Sequence, residues 1–361
     1  MPPLDNLIAE GERLMVICNS CRYCEGYCAV FPAMERRMTF NEADMHYLAN
    51  LCHNCAECYY SCQYAPPHEF AVNVPKVFAE IRAQSYKKYA WPGFVSVGAW
   101  WAVVAGMAVA VLLAGSRSAT AANFYGVISH GTMVAAFSVV FLAIIVVHAA
   151  GFLRFWRESG ESLAALFQHA VLKAARDALT LKNLDSNGVG CTYPAEQHSQ
   201  ARRRFHHFTF YGFLLCWAST TTAALYHSVF GWIAPYEYSS IPVVLGTLGG
   251  IGLLIGPVGL YSLKRRRDTA IMDLKQDSMD ISFLSLLFLT SLTGLLLLVL
   301  RETIAMGSLL RIHLGVVLGL FLTLPYGKFV HGIYRVAALV RSALEATRGK
   351  HQRRDQTQQS G

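Results

Sequence analysis

Eight cysteines between Cys18 and Cys62 fall into two runs of identical spacing. The first run is Cys18, Cys21, Cys24 and Cys28; the second is Cys52, Cys55, Cys58 and Cys62. Each reads C-x2-C-x2-C-x3-C, the spacing that holds cubane [4Fe–4S] clusters. Three closely spaced cysteines on a tight loop reach three corners of one cube. The fourth, carried away on a following helix, reaches the other cluster. This crossed rule assigns Cys18, Cys21, Cys24 and Cys62 to one cluster, and Cys52, Cys55, Cys58 and Cys28 to the second. A disulfide framework suits a small secreted domain, but no secretory signal precedes these cysteines and the N-terminus is polar. Structural zinc sites pair C-x2-C elements and do not add a third cysteine at the same spacing. The prolines that often follow the fourth cysteine come slightly late, at Pro32 and Pro66.

The rest of the chain must position these cysteines. At 361 residues it is long enough for more than one domain, and 54% of it is hydrophobic against 15% charged. That apolar excess lies almost entirely beyond residue 91. Residues 1–90 read as a small polar iron–sulfur domain, closed by a short basic helix over 77–89 that carries Arg82, Lys87 and Lys88. Six apolar segments follow, at 94–114, 127–152, 208–230, 241–263, 283–300 and 309–334. Each approaches the ~20 residues needed to cross ~30 Å of hydrocarbon. The first five contain no Lys, Arg, Asp or Glu, and the sixth has Arg311 and Lys328 near its ends. Gly246, Gly249, Gly250, Gly252 and Gly256 suit close helix contact in the fourth.

Orientation follows from basic residues in short loops. Loop 115–126 carries only Arg117, and 231–240 and 302–308 carry no basic residue. The alternate loops hold Arg154, Arg157, Arg202, Arg203, Arg204 and the run Lys264 to Arg267. The cluster domain and both termini are therefore expected on the cytoplasmic side of a bacterial inner membrane. The net charge of +8 fits such loops, and no nucleic-acid motif accompanies it. Within the cytoplasmic insert 153–204, apolar residues from Leu163 to Leu179 recur at helical spacing, which predicts an amphipathic helix on the membrane surface or under the cluster domain. Residues 341–361 read as a basic, disordered tail.

Ionisable residues inside spans are functional candidates. The second span holds His130 and His148, and the sixth holds His313 and His331. Eighteen residues make five helical turns, so the members of each pair share a face about 27 Å apart. The third span adds His206, His207 and His227, with His206 and His227 about 60° from a common face. Neutral imidazoles facing one another across a bundle supply the axial ligands of haem b, and two such haems would relay electrons across the bilayer. The absence of C-x-x-C-H argues against covalent haem. Cys191 and Cys216 read as isolated thiols.

The runs around C-R-Y-C-E-G-Y-C-A-V-F-P, the six spans and the segment R-R-R-F-H-H-F-T-F-Y-G-F resemble the tricarballylate/citrate-utilisation protein B family over essentially the whole chain. The last span is also similar to the final haem-bearing helix of nitrate-reductase gamma subunits, which implies His313 and His331 as ligands of two different haems. The family resemblance implies a membrane electron-transfer protein that reoxidises an FAD-dependent dehydrogenase of tricarballylate and passes electrons to quinone. No dinucleotide-binding G-x-G-x-x-G follows a strand, so the FAD is expected on a separate subunit.

The expected architecture is mainly α: a small ferredoxin-like cytoplasmic domain with two [4Fe–4S] clusters, then a six-helix transmembrane bundle at 91–340. Substrate oxidation belongs to the partner flavoprotein. The alternatives are a membrane-anchored iron–sulfur redox sensor, which needs no haem, and an electron-transfer subunit for a different dehydrogenase. A transporter is disfavoured, because no internal repeat is evident and no acid lies within the spans.

Overall fold

A computed structural model of the protein describes residues 4–93, 106 and 123–359. Among these, every regular element is helical, apart from one isolated bridge between Cys191 and Ser199. The first five helices are α1 (Leu4–Cys21), α2 (Val30–Met34), α3 (Glu42–Leu51), α4 (Glu57–Tyr60) and α5 (Val74–Tyr89). Local sequence sets their starts. The Asn41 side chain accepts from the Asp44 N–H at 2.9 Å while the Asp44 carboxylate reaches back to the Asn41 N–H, a capping box for α3. The Asn73 side chain accepts from the Lys76 N–H to cap α5, and Pro75 sits in its first turn, where a missing N–H costs nothing. Leu14, Met15, Met34, Met45, Tyr47, Phe78 and Ile81 close the core between α1, α2, α3 and α5.

The remaining helices are α6 (Phe124–Val127), α7 (His130–Glu158), α8 (Ala170–Leu179), α9 (Ala201–Phe230), α10 (Ile241–Arg265), α11 (Asp277–Val299), α12 (Met306–Thr323) and α13 (Val330–Gln359). Four stretches among the described residues are long and apolar enough to cross a membrane: His130–Glu158, Ile241–Arg265, Leu274–Val299 and Met306–Thr323. Val139, Leu142 and Val146 on α7 and Leu248, Ile255 and Val258 on α10 point outward, as lipid-facing side chains do.

Four of the six expected spans thus find an apolar helix. The segment 94–114 lies outside the described residues, apart from Gly106. The segment 208–230 belongs to α9, a continuous helix whose histidines and Ser219–Thr222 run dilute its apolar character, and it is not one of the four. The sixth segment is not one helix. Pro325 has no N–H with which to continue the ladder, so the Leu324 N–H closes α12 on Leu320 and Phe321. Gly327 then passes so close to the Thr323 carbonyl that a Cβ would sit 2.6 Å from it. The same-face count between His313 and His331 therefore does not apply, because they stand on different helices.

Two further expectations change. The amphipathic stretch is a 3-10 turn at Leu163–Phe167 followed by α8, because the chain turns at Gln168 and His169 before α8 begins. The supposed tail begins as structure: Ala343 and Leu344 are buried, and the Arg37 guanidinium donates to Glu345 at 2.5 Å. One hydrophobic core includes α13 residues Ala337, Ala338, Val340 and Leu344 together with Leu14, Tyr47, Phe155 and Trp156. The C-terminal helix therefore clamps the N-terminal unit to the end of α7.

Helices α9 and α10 lie against each other along much of their length, backbone to backbone. A Cβ on Gly256 would fall 2.6 Å from the Thr209 nitrogen, and one on Gly249 would fall 2.8 Å from the Cys216 nitrogen. Backbone atoms cannot yield as a side-chain tip can, so this is the small-residue packing of membrane helices. Gly256→Val should lower stability by about 1–3 kcal/mol through overpacking, read as thermal unfolding in detergent. Gly131→Ala, where a Cβ meets nothing within 4 Å, should leave the melting point unchanged or slightly raised.

Candidate functional site

Cys18 and Cys21 end α1, Cys52 follows α3, and Cys58 sits in α4; the others lie in turns. Two adjacent cavities sort them. Cys18, Cys21, Cys24 and Cys62 line the first, of about 260 Å³. Cys28, Cys52 and Cys55 line the second, and Cys58 borders both. The fourth cysteine of each run thus faces the cavity of the other run. Cys21 is exposed and Tyr23 is 67% exposed, so the first cavity opens to solvent. Cys52 and Cys55 are buried.

The local backbone shapes the second loop. Asn54 and Ala56 both adopt left-handed conformations, uncommon for side chains with a Cβ and typical of sites where function fixes the turn. The Asn54 N–H points at the Cys52 sulfur at 3.4 Å. Amide groups of Val30 and Phe31 donate to Cys28, and that of Glu57 donates to Cys55. Burial, then Cys24, Cys62 and Cys21, pushes the Cys18 thiol up to about 12. Burial, then Cys55, Cys28 and Cys52, likewise pushes Cys58 up. Crowded thiolates in a dry pocket repel one another unless an iron core supplies positive charge, and amide donors aimed at sulfur suit that state. Among the described residues, no three His, Cys, Asp or Glu groups converge as they would around a single metal ion. Sequence reasoning missed Cys191: it is fully buried with its thiol against Cys55, a contact made across the fold with no sequence signature.

The end of α3 carries the second site. A helix leaves its last carbonyls without intrahelical partners. Here the Cys52 N–H takes Leu48, Arg82 takes Ala49 at 3.1 Å, Arg335 approaches Asn50 at 3.4 Å, and His53 Nδ1 takes Leu51 at 2.7 Å. The guanidiniums also continue past the helix. Arg82 and Arg335 donate to the Cys52 carbonyl at 2.6 and 2.8 Å, and Arg202 donates to Asn54 and His53 at 2.6 and 2.9 Å. Of the basic residues on α5 and at the start of α9, Arg82 and Arg202 thus point inward, while Lys87, Lys88 and Arg204 stay exposed. Lys88 bridges Glu42 and Glu158, and Arg203 pairs with Asp185.

Beyond these arginines, a cavity of about 130 Å³ touches His53 and Asn54 on one side and His206 and His331 on the other. The His206 and His331 rings are 6.2 Å apart, and His206 Nδ1 is buried without a partner. His331 Nδ1 bonds to the Lys328 carbonyl at 2.5 Å. His148 Nδ1 bonds to the Ile144 carbonyl at 2.9 Å, its ring lies 5.6 Å from Phe329, and its Nε2 is buried without a partner. An imidazole whose Nδ1–H is held by a carbonyl offers its Nε2 lone pair to a metal. At the other end of α9, roughly 30 Å away at 1.5 Å per residue, His227 stacks on His130 with centroids 3.5 Å apart, and Tyr125 lies against both. His207 lies against Tyr211, and His313 Nδ1 is 2.9 Å from the Thr293 hydroxyl with its ring against Gly294. The fold thus pairs His206 with His331 and His130 with His227, and turns His207 and His313 elsewhere.

Two family models match separate parts of the chain. A model of citrate utilization protein B matches residues 97–352, and one of the citrate utilization protein B Fer4-like domain matches residues 11–88. Citrate utilization protein B of Escherichia coli is 49% identical over 356 residues, covering 95% of this chain and 93% of that protein. No solved structure matches.

His46, within α3, gives the cluster unit a pH response. It is fully buried, its Nδ1 lies 2.9 Å from the Ser85 hydroxyl, and burial, then Lys88, pulls its pKa below the ordinary value. Because the folded state resists protonation, the unfolded state binds more protons as pH falls. The stability is complete above the ordinary histidine value of about 6.5 and is lost as pH drops below it. Thermal unfolding followed from pH 7.5 to 5 should show a falling melting point, with a shallower slope in His46→Gln.

Proposed function

Since the chain belongs to the citrate utilization protein B family, we propose that it is a membrane electron-transfer protein running from a reduced flavoprotein to the quinone pool. The Fer4-like match supports iron–sulfur binding. When bound, two [4Fe–4S] clusters and haem b would supply one-electron carriage. The observation that carries the reading is the small cavity that touches both the second cysteine loop and the His206–His331 pair.

On this reading Cys18, Cys21, Cys24 and Cys62 hold the cluster nearer solvent, where Cys21 is exposed and a donor can approach. Cys28, Cys52, Cys55 and Cys58 hold the buried cluster beside the membrane helices. His206 and His331, with His148 nearby, are the candidate ligands of a haem at the cytoplasmic end of the bundle. His130 and His227, near the outer face about 30 Å along α9, are those of a second haem only once their rings part, because the 3.5 Å stack leaves no room for a macrocycle between them. Placing the cluster unit on the cytoplasmic side follows from the basic loops. The name of the relative points to citrate utilization; the oxidation itself would fall to a separate FAD-dependent dehydrogenase of a tricarboxylic acid such as tricarballylate.

The test is iron and haem per chain on anaerobically purified protein, with a reduced-minus-oxidised spectrum. About eight non-haem irons and one or two b-haems are expected from two cubanes and the histidine pairs. Cys28→Ser and Cys62→Ser should each remove about half the iron, and each should remove a different cluster signal. His331→Ala should abolish the cytoplasmic haem and spare the iron. Eight irons with no haem would end the transmembrane relay and bring the redox-sensor reading forward.

A further inference from the structure

Arg82, Arg202 and Arg335 come from α5, α9 and α13, and their guanidiniums converge on carbonyls of residues 49–54. Among the described residues, no carboxylate pairs with any of the three; of the acids lining the same cavity, Asp277 and Asp280 are taken up by Lys264, Arg267 and Lys328, and Asp273 accepts from Gln276 and the Lys275 amide. Capping α3 explains the donations to Ala49 and Asn50, but a neutral donor would serve there as well. It does not explain donations to Cys52, His53 and Asn54, which lie beyond the helix. Buried cations without an anion are costly, so the pocket calls for one. Neither cysteine cavity is itself lined by Arg or Lys, and the second also holds the buried Glu57, so the three guanidiniums act from behind the second loop, through its carbonyls.

We propose that Arg82, Arg202 and Arg335 form a charge clamp that makes the cluster of the second cysteine run the more readily reduced of the two. This rests on the two-cluster reading above. A tetrathiolate [4Fe–4S] cluster is a dianion that becomes a trianion on gaining one electron, and net charge and hydrogen bonding set its potential. Burial alone would disfavour that gain. Against it, one cation at a separation on the order of 8 Å and an effective dielectric of about 20 favours the reduced form by roughly thirtyfold, and three act together. The clamp also donates to the carbonyl of Cys52 itself, a candidate cluster ligand. In the step this favours, one electron leaves the first-run cluster, which is oxidised, and enters the second-run cluster, which is reduced. No bond or proton need change. The clamp residues are positioning residues, and they make transfer toward the membrane downhill.

Electron paramagnetic resonance during a redox titration of the intact protein tests this, with signals assigned by which one Cys62→Ser removes and which one Cys28→Ser removes. The second-run cluster should titrate at the higher potential. In Arg335→Gln and Arg82→Gln its one-electron equilibrium should shift against reduction by tenfold or more, about 59 mV, while the first-run signal stays in place. Arg335→Lys, which keeps the charge, should restore most of the shift. A wild-type protein whose first-run cluster has the higher potential would overturn the proposal without any arginine variant. So would Gln variants that keep full iron and unchanged potentials. Protein without non-haem iron would sink the cluster reading itself, and the two failures are told apart by iron content.

Discussion

A helix that ends inside a protein must find donors for its last carbonyls, and α3 ends against the second cysteine run. Its N-terminus is closed by neighbours in sequence, through Asn41 and Asp44. Its C-terminus is closed by Arg82 and Arg335, and Arg202 holds the loop that follows. Cations at a helix C-terminus also complement the helix dipole. Because α5, α9 and α13 each contribute one guanidinium, the same contacts that finish a helix fasten the cysteine domain to the membrane helices. The iron–sulfur unit is thereby built into the bundle rather than tethered to it.

The polar anchoring extends along α13. Glu345 receives Arg37, Arg341 and, more loosely, Arg36, while Asp44 receives Arg37 and Arg341. These side chains are mostly buried, and a network of paired charges fixes one docking angle far better than an apolar surface could. On the membrane side, Asp280 meets Lys264 and Lys328 at 2.6 and 2.8 Å, which ties together α10, α11 and the turn before α13. That turn exists because Pro325 interrupts the helix, and it sets His331 facing His206 rather than in line with His313.

Backbone approach between α9 and α10 fixes the other partner. With Gly212, Gly249, Gly252 and Gly256 at the contact, α9 cannot rotate without driving backbone into backbone. The facing of His206 at one end and of His227 at the other is held by the same interface. One rigid helix therefore presents a histidine to each of two pairs, at the two ends of the bundle.

The sequence by itself determined where iron–sulfur chemistry can sit. The duplicated cysteine spacing is a local property, and local loops reproduce it as two adjoining pockets. The crossed rule expects Cys28 and Cys62 to serve the other run, and each lines the other run's cavity. Apolar length likewise marked four of the described helices as able to cross a membrane. Residue spacing failed wherever a partner comes from elsewhere in the chain. The pairing of His313 with His331 rested on a helix that Pro325 breaks. Cys191 looked isolated, although the fold brings it against Cys55. Arg82 and Arg202 read only as members of a basic helix and a basic loop, since a charge alone does not reveal which carbonyls await it. Residues 341 onward read as a polar tail because their buried face is small and broken by charges, of which Arg341 and Glu345 meet residues some three hundred positions away. Only the tertiary structure decided which histidines meet and which cysteine loop gathers the cations, because distant segments meet only when the helices pack.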